Sequence, residues 1–369
     1  MTENRPYRLI VSGGGTGGHI FPALAVANEL KKQNPLSEIL FIGAKGKMEM
    51  TRVPAAGYEI EGLWISGLQR KLTFENLLFP IKLILSVLKA SRIIKKFKPD
   101  AIVGTGGYAS GPTVIAASRK NIPVLLQEQN SYPGLTNRKL SRYAMKVCVA
   151  YDNMDRYFDP AKVVFTGNPV REDIDGSKTK RSEALTYFGL ADNKKTVLII
   201  GGSLGARTIN ESIVSGVNRL VDAGFQVLWQ TGKLYYEEML DRSSVGIEQG
   251  VAINQFIDRM DYAYSCADIV ISRAGALSIS ELCIAGLPVI FVPSPNVAAD
   301  HQRKNAESLV KQDAALLVED AVAKEKLIDV LIETANNEEL LIKLAKEIKK
   351  LAKPDATKDI VKHLKMILN

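Results

Sequence analysis

Cysteine and histidine are both scarce in this chain. Cys148, Cys266 and Cys283 stand far apart in apolar surroundings, with no CxxC pair and no even framework, so they are expected as buried thiols of a reducing compartment. None of the three histidines pairs with another as HxxxH or HExxH, which excludes the common zinc sites, and no metal is expected. Long apolar runs are missing as well. No window of about 18 uncharged apolar residues occurs, so nothing is expected to span a bilayer. The apolar stretch at residues 9–11 stops at glycines, so no signal peptide is expected and the cytoplasm is the expected compartment.

What is present is a 369-residue chain of net charge +8, long enough for two domains and basic enough to suggest an anionic partner. Short β-rich runs ("RLIVS", "EILFIG", "AIVG", "PVLLQ", "KVCVA", "KVVFTG") alternate with helical patterns, which implies βαβ units and a parallel sheet. After "GNPVRED" the pattern restarts: "KTVLIIGGSLGARTINESIVSGVNRL" repeats the opening order of strand, glycine loop and helix, and "FQVLWQ", "GVAINQF", "DIVIS", "LPVIFVP" and "AALLV" follow. The expected fold is therefore α/β, with two Rossmann-like doubly wound domains facing across a ligand cleft. The domains are drawn at 1–168 and 169–351, with the C-terminal helix, 352–369, packing back on the first.

The opening "RLIVSGGGTGGHIFPALAVANEL" satisfies GxGxxG with Gly13, Gly15 and Gly18 between a strand and a helix. A dinucleotide site also needs an acid at the end of the second strand, where this chain has Gly43, Ala44 and Lys45; a Walker loop fails because no Lys-Ser/Thr closes the glycines. What survives is a helix N-terminus with exposed N–H groups, suited to an anion or a closely approaching sugar. His19, in the first turn, is either a packing histidine or a neutral imidazole able to accept a proton. The second loop, "GGSLGAR", offers backbone donors, Ser203 and Arg207 to a diphosphate. In "SRAGALSISELCIAGLPVIFVPSPNVAADHQRKNA", Gly275, Ala276 and Leu277 are expected as a small loop and Ser278 with Glu281 as a capping box. Glu281 equally suits a ribose diol. Gln302 and Asn305 are placed to present amides to sugar hydroxyls from one helix face.

Taken together, "GGGTGGHIFPALAVA", "GTGGYASGP", "EQNSYPGLTN", "GNPVR", "GGSLGAR", "RAGALSISEL", "GLPVIFVP" and "HQRKNA", in this order, resemble the MurG-type N-acetylglucosaminyltransferases over nearly the whole chain. The resemblance implies a GT-B fold and an inverting, metal- and cofactor-independent transfer from UDP-N-acetylglucosamine to the 4-hydroxyl of the muramyl sugar in lipid I. The product is lipid II, for the cell wall. It implies an acceptor and membrane-facing first domain and a donor-binding second one. Thr16, Gly17, Gly18 and Asn130 match positions near the donor sugar and acceptor. Arg171, Ser203, Ile257, Ala276, Leu277, Ser278, Glu281 and Gln302 match donor-holding positions, with Glu281 on the ribose and Ile257 near uracil. Tyr108, Glu128, Asn137 and Asn305 match further positions tied to activity. Some members carry "HEQN" where this chain has "QEQN", so Gln127 cannot accept a proton and a base must be His19 or Glu128. The pair Asp173 and Asp175 formally matches Asp-x-Asp but lies in a polar stretch outside every glycine loop, and is expected as solvated surface.

"LTFENLLFPIKLILSVLKASRIIKKFKPD" carries Lys82, Lys89, Arg92, Lys95, Lys96 and Lys98 with no acid between Pro80 and Pro99, beside many apolar residues. Basic and apolar residues on one helix are an interfacial signature. A lipid-linked acceptor favours that reading over a core helix with a solvated face. The expected protein is therefore peripheral, on the cytoplasmic leaflet, and suited to a cell-wall assembly. Nucleic acid is not an expected partner. The competing enzyme readings are a related glycolipid-synthesising UDP-sugar transferase and an NADP-dependent oxidoreductase.

Overall fold

A computed structural model describes residues 5–67, 77–170, 174 and 180–368. The chain forms two compact units, Met1–Val170 with Asp355–Asn369, and Arg171–Pro354. In the first, strands β1 (Arg8–Gly13), β2 (Glu38–Ala44), β3 (Glu59–Leu63), β4 (Ala101–Gly106), β5 (Val124–Glu128), β6 (Lys146–Val149) and β7 (Val163–Phe165) form one sheet in the order β3-β2-β1-β4-β5-β6-β7. It carries α1 (Gly17–Gln33), α2 (Glu49–Ala55), α3 (Phe79–Phe97), α4 (Ser110–Ser118) and α5 (Leu135–Leu140). In the second, α6 (Arg181–Phe188) leads into β8 (Thr196–Ile200), α7 (Arg207–Asp222), β9 (Gln226–Gln230), α8 (Tyr236–Arg242), β10 (Val251–Asn254) and α9 (Met260–Cys266). Then come β11 (Ile269–Ser272), α10 (Ala276–Ala285), β12 (Val289–Phe291), α11 (His301–Val310), β13 (Leu316–Leu317), α12 (Ala323–Asn336) and α13 (Glu338–Lys350), the strands ordered β10-β9-β8-β11-β12-β13. The last helix, α14 (Ala356–Leu368), belongs to the first unit.

Every strand pairing among the described residues is parallel. Buried parallel strands read as continuous apolar runs, which is why "LIV" and "VLII" sit at the centres of their sheets. Side chains alternate between faces, so Leu9 and Val11 pack with Ile360, Val361 and Leu364 of α14, while Ile10 packs on the other face with Ala90, Ile93 and Ile94 of α3. Strand β3 has no counterpart in the sequence reading: Glu59 and Glu61 interrupt its apolar pattern, as charges on an edge strand do. The three cysteines are buried, and burial pushes each thiol up to about 12, so all stay protonated.

In each sheet the strand order reverses once, between β1 and β4 and between β8 and β11. Ligands of open α/β sheets bind outside the carboxyl ends of the strands at that point, because the flanking loops diverge there.

Candidate active site

The first unit's reversal point gathers the loops after β1, β4 and β5. Gly14 and Gly107 cross so closely that a Cβ on Gly107 would overlap the carbonyl oxygen of Gly14, and Gly107 has a φ of 81°. Only glycine satisfies both conditions. The Tyr108 ring lies over Gly15 and remains half exposed. Thr16 is the N-cap of α1, with an exposed hydroxyl that makes no cap bond, and Gly17 and Gly18 head the helix. The loop's anion capacity is nevertheless partly filled from within. The buried Glu49 carboxylate accepts from Gly15 N at 3.0 Å and Ala44 N at 2.9 Å, so a negative charge already sits beneath the glycines. A neutral sugar suits the remaining N–H groups better than a second anion.

His19 leans into this loop half buried. Its Nδ1 lies 2.9 Å from the Thr105 carbonyl oxygen and 3.0 Å from Gln129 Oε1. A carbonyl oxygen only accepts, so Nδ1 carries hydrogen and the other ring nitrogen, Nε2, holds the lone pair. Thr105 Oγ donates to the His19 carbonyl at 2.8 Å, tying the first turn of α1 to β4.

Glu128, the other candidate base, is fully engaged. One carboxylate oxygen accepts from Asn130 N and Nδ2 at 3.0 and 3.2 Å, the other from Gly134 N at 3.1 Å and Asn137 Nδ2 at 2.9 Å, and the side chain is buried. It organises the turn from β5 to α5, placing the half-exposed Asn130 at its rim and the buried Asn137 behind it.

In the second unit, the loop after β8 turns through Gly202 and Gly205, each with a φ of 87°, and leaves Ser203 exposed before α7. Gln230 at the end of β9 is the piece that sequence reasoning missed: Nε2 donates to Gly202 O at 3.2 Å while Oε1 accepts from Ile257 N at 2.9 Å. One buried amide thus joins the glycine loop to Ile257. A polar residue at the carboxyl end of a parallel strand was the available signal, and the same signal marks Thr105 and the Gln127–Gln129 run. Arg207, in the first turn of α7, lies over the Tyr235 ring, 5.8 Å from its centroid.

Several sequence expectations change here. Ala276 and Leu277 are the first turn of α10 and not a loop, because Gly275 is the N-cap. The capping box is absent: Ser278 lies inside the helix, and Glu281 accepts from the Tyr264 hydroxyl at 3.0 Å. Gln302 Oε1 accepts from Ser294 N at 2.9 Å, and Asn305 is fully buried, so it backs the site and does not present its amide outward. Arg171, Asp173 and Asp175 lie outside the described residues. Among the described residues no cluster of three or more His, Cys, Asp or Glu side chains is arranged to hold a metal ion.

Residues 9–149 match the glycosyltransferase family 28 N-terminal domain, and residues 196–360 match the glycosyltransferase family 28 C-terminal domain. The chain belongs to glycosyltransferase family 28. Within this family it is 52% identical over 369 residues, covering all of this chain and 99% of the relative, to a protein of Cytophaga hutchinsonii named UDP-N-acetylglucosamine--N-acetylmuramyl-(pentapeptide) pyrophosphoryl-undecaprenol N-acetylglucosamine transferase. A Flavobacterium psychrophilum protein of the same name is 52% identical over 355 residues, 96% of each chain. Among solved structures, Acinetobacter baumannii MurG superposes with a TM-score of 0.80 at 31% identity, covering 98% of this chain and 100% of that one. The family 28 chain thus has the GT-B fold, two parallel-sheet Rossmann-like domains.

Proposed function

We propose that this chain transfers N-acetylglucosamine, with inversion, from UDP-N-acetylglucosamine to the 4-hydroxyl of the muramyl sugar in lipid I, giving lipid II for peptidoglycan. The observation that carries the reading is 52% identity along the entire chain to transferases of that name. The geometry of the first unit supports the chemistry. His19 Nε2 takes the proton of the acceptor hydroxyl as that oxygen bonds to the anomeric carbon and the bond to the UDP oxygen breaks, the electron pair leaving with UDP. The resulting imidazolium keeps both Nδ1 acceptors, Thr105 O and Gln129 Oε1. Thr16, Gly17, Gly18, Tyr108 and Asn130 border the acceptor, while Glu128 and Asn137 hold their loop.

In the second unit, Ser203, Ile257, Ala276, Leu277, Ser278, Glu281 and Gln302, with Arg171, hold the donor, and Asn305 supports them. The N-terminus of α7 and its loop amides receive the charge developing on the leaving diphosphate. The half-buried Glu281, held by the Tyr264 hydroxyl, takes the ribose. Labelled UDP-N-acetylglucosamine with a lipid-linked muramyl acceptor, in EDTA, is expected to give labelled disaccharide lipid. Transfer only to diacylglycerol would favour the glycolipid-synthase reading instead, and loss of turnover with EDTA would remove the metal-free mechanism.

Among the described residues no helix is long and apolar enough to cross a membrane. Helix α3 supplies a peripheral alternative, on the cytoplasmic leaflet where lipid I is presented. Ile81, Ile84, Leu85 and Leu88 are exposed along it, Ile84 by 61%, and the exposed Arg92, Lys95 and Lys96 continue toward its C-terminus. Two expected lipid contacts drop out: Lys82 is buried on Ser66 and the Trp64 ring, and Lys89 pairs with Glu61 and the Gly62 carbonyl. Arg92→Glu, Lys95→Glu and Lys96→Glu together are expected to weaken binding to anionic vesicles by about 3 kcal/mol or more, a hundredfold, at about 1 kcal/mol per cation. Unchanged sedimentation with those vesicles would exclude this face.

A further inference from the structure

Behind His19 lies a set of buried amides that the transfer reaction does not touch. Gln129 Nε2 donates to Thr105 O at 2.8 Å, to Gln127 O at 3.2 Å and to Gln127 Oε1. Gln127 Nε2 donates to Asn168 Oδ1 at 3.0 Å, and Asn168 Nδ2 returns to the Gln129 carbonyl at 3.0 Å. All three side chains are buried, with Gln127 at 0% exposure. We propose that Gln129, Gln127 and Asn168 are positioning residues: their closed relay locks His19 in the tautomer with hydrogen on Nδ1, keeping Nε2 as the proton acceptor. The proposal rests on the reading of His19 as the base.

The locking follows from what each atom can do. Gln129 Nε2 faces carbonyl oxygens, which only accept, so reversing that amide would set oxygen against oxygen in a buried site. With Nε2 so committed, Gln129 Oε1 is the atom turned toward His19. The alternative tautomer would bring the Nδ1 lone pair against two oxygens, Thr105 O and Gln129 Oε1, with no hydrogen between them. Gln127 in turn orients Gln129, since its Oε1 accepts from Gln129 while its Nε2 is held by Asn168. The relay contains no titrating group.

The chain's three histidines make the tautomer directly readable by nitrogen NMR of imidazole-labelled full-length protein, with His19→Ala assigning the signal. The neutral His19 ring is expected to report Nδ1–H and an unprotonated Nε2; an Nε2–H signal would overturn the proposal and needs no variant. Gln129→Glu sets a second oxygen against Thr105 O, Gln127 O and Gln127 Oε1, where Nε2 donated, and is expected to lower kcat about tenfold or more with KM for UDP-N-acetylglucosamine unchanged. Gln129→Met is expected to lower kcat about tenfold at unchanged KM and to mix the two tautomers. A folded Gln129→Glu or Gln129→Met with wild-type kcat would overturn the relay. Full activity in His19→Ala would sink the base assignment instead, and leaves the tautomer measurement to decide the relay by itself.

Discussion

His19→Ala is expected to lower kcat by about two to four orders of magnitude, with the melting temperature and the KM for UDP-N-acetylglucosamine close to wild type. The size follows from general-base catalysis, and the selectivity from geometry. The ring contributes two contacts through Nδ1; when it is removed Thr105 O still receives Gln129 Nε2, which keeps the Gln129 side chain in place, and water filling the space left by the ring meets Gln129 Oε1. The backbone of the first turn stays anchored by Thr105 Oγ. Steady-state kinetics with a soluble analogue of the lipid acceptor, alongside thermal denaturation, separates the two effects. A variant that retains kcat, or one that loses it only because it unfolds, defeats the assignment.

Glu128→Ala is expected to act the other way, through stability first. Truncation removes the acceptor shared by the Asn130 and Gly134 N–H groups and the Asn130 and Asn137 amides, of which the buried Asn137 amide keeps its bond to the Gln127 carbonyl at 3.0 Å. Hydrogen bonds to a charged acceptor contribute about 1.5–3 kcal/mol, and water can reach the exposed side of this turn, so a loss of about 2 kcal/mol is expected, a fall in melting temperature of roughly 5 °C. Activity falls too, because the turn that carries Asn130 loosens. The pH profile of the remaining activity should keep its acid limb. A stable Glu128→Ala whose acid limb has vanished would transfer the base role to Glu128 and remove it from His19.

The difference between these two residues was not legible from the chain. Both lie next to glycine-rich or turn motifs, both are titratable, and the substitution of Gln127 for the histidine of "HEQN" left either able to serve. What separates them is what converges on each: two acceptors from distant segments, Thr105 O and Gln129 Oε1, on His19 Nδ1, and donors from the following turn, among them Gly134 N and Asn137 Nδ2, on the Glu128 carboxylate. Glu49 makes the same point. The strand β2 ends without an acid, which correctly disfavoured a dinucleotide, yet α2 carries a carboxylate back beneath the glycine loop. Ser278 and Glu281 fit the spacing of a capping box, but a helix begins where its backbone can first close the ladder. Gly275 supplied that start one turn earlier.

Local patterns determined the strand–loop–helix alternation, the two similar halves and the small residues at each strand end, because apolar runs and glycine act through neighbours in sequence. The family, too, was written in ordered motifs. Only the tertiary structure decided which lysines of α3 are spent internally, which loop amides are already satisfied, and which nitrogen of His19 is left to accept a proton. Hydrogen-bond partners in a parallel α/β sheet are drawn from loops after different strands, so their assignment awaits the crossing of those loops at the point where strand order reverses.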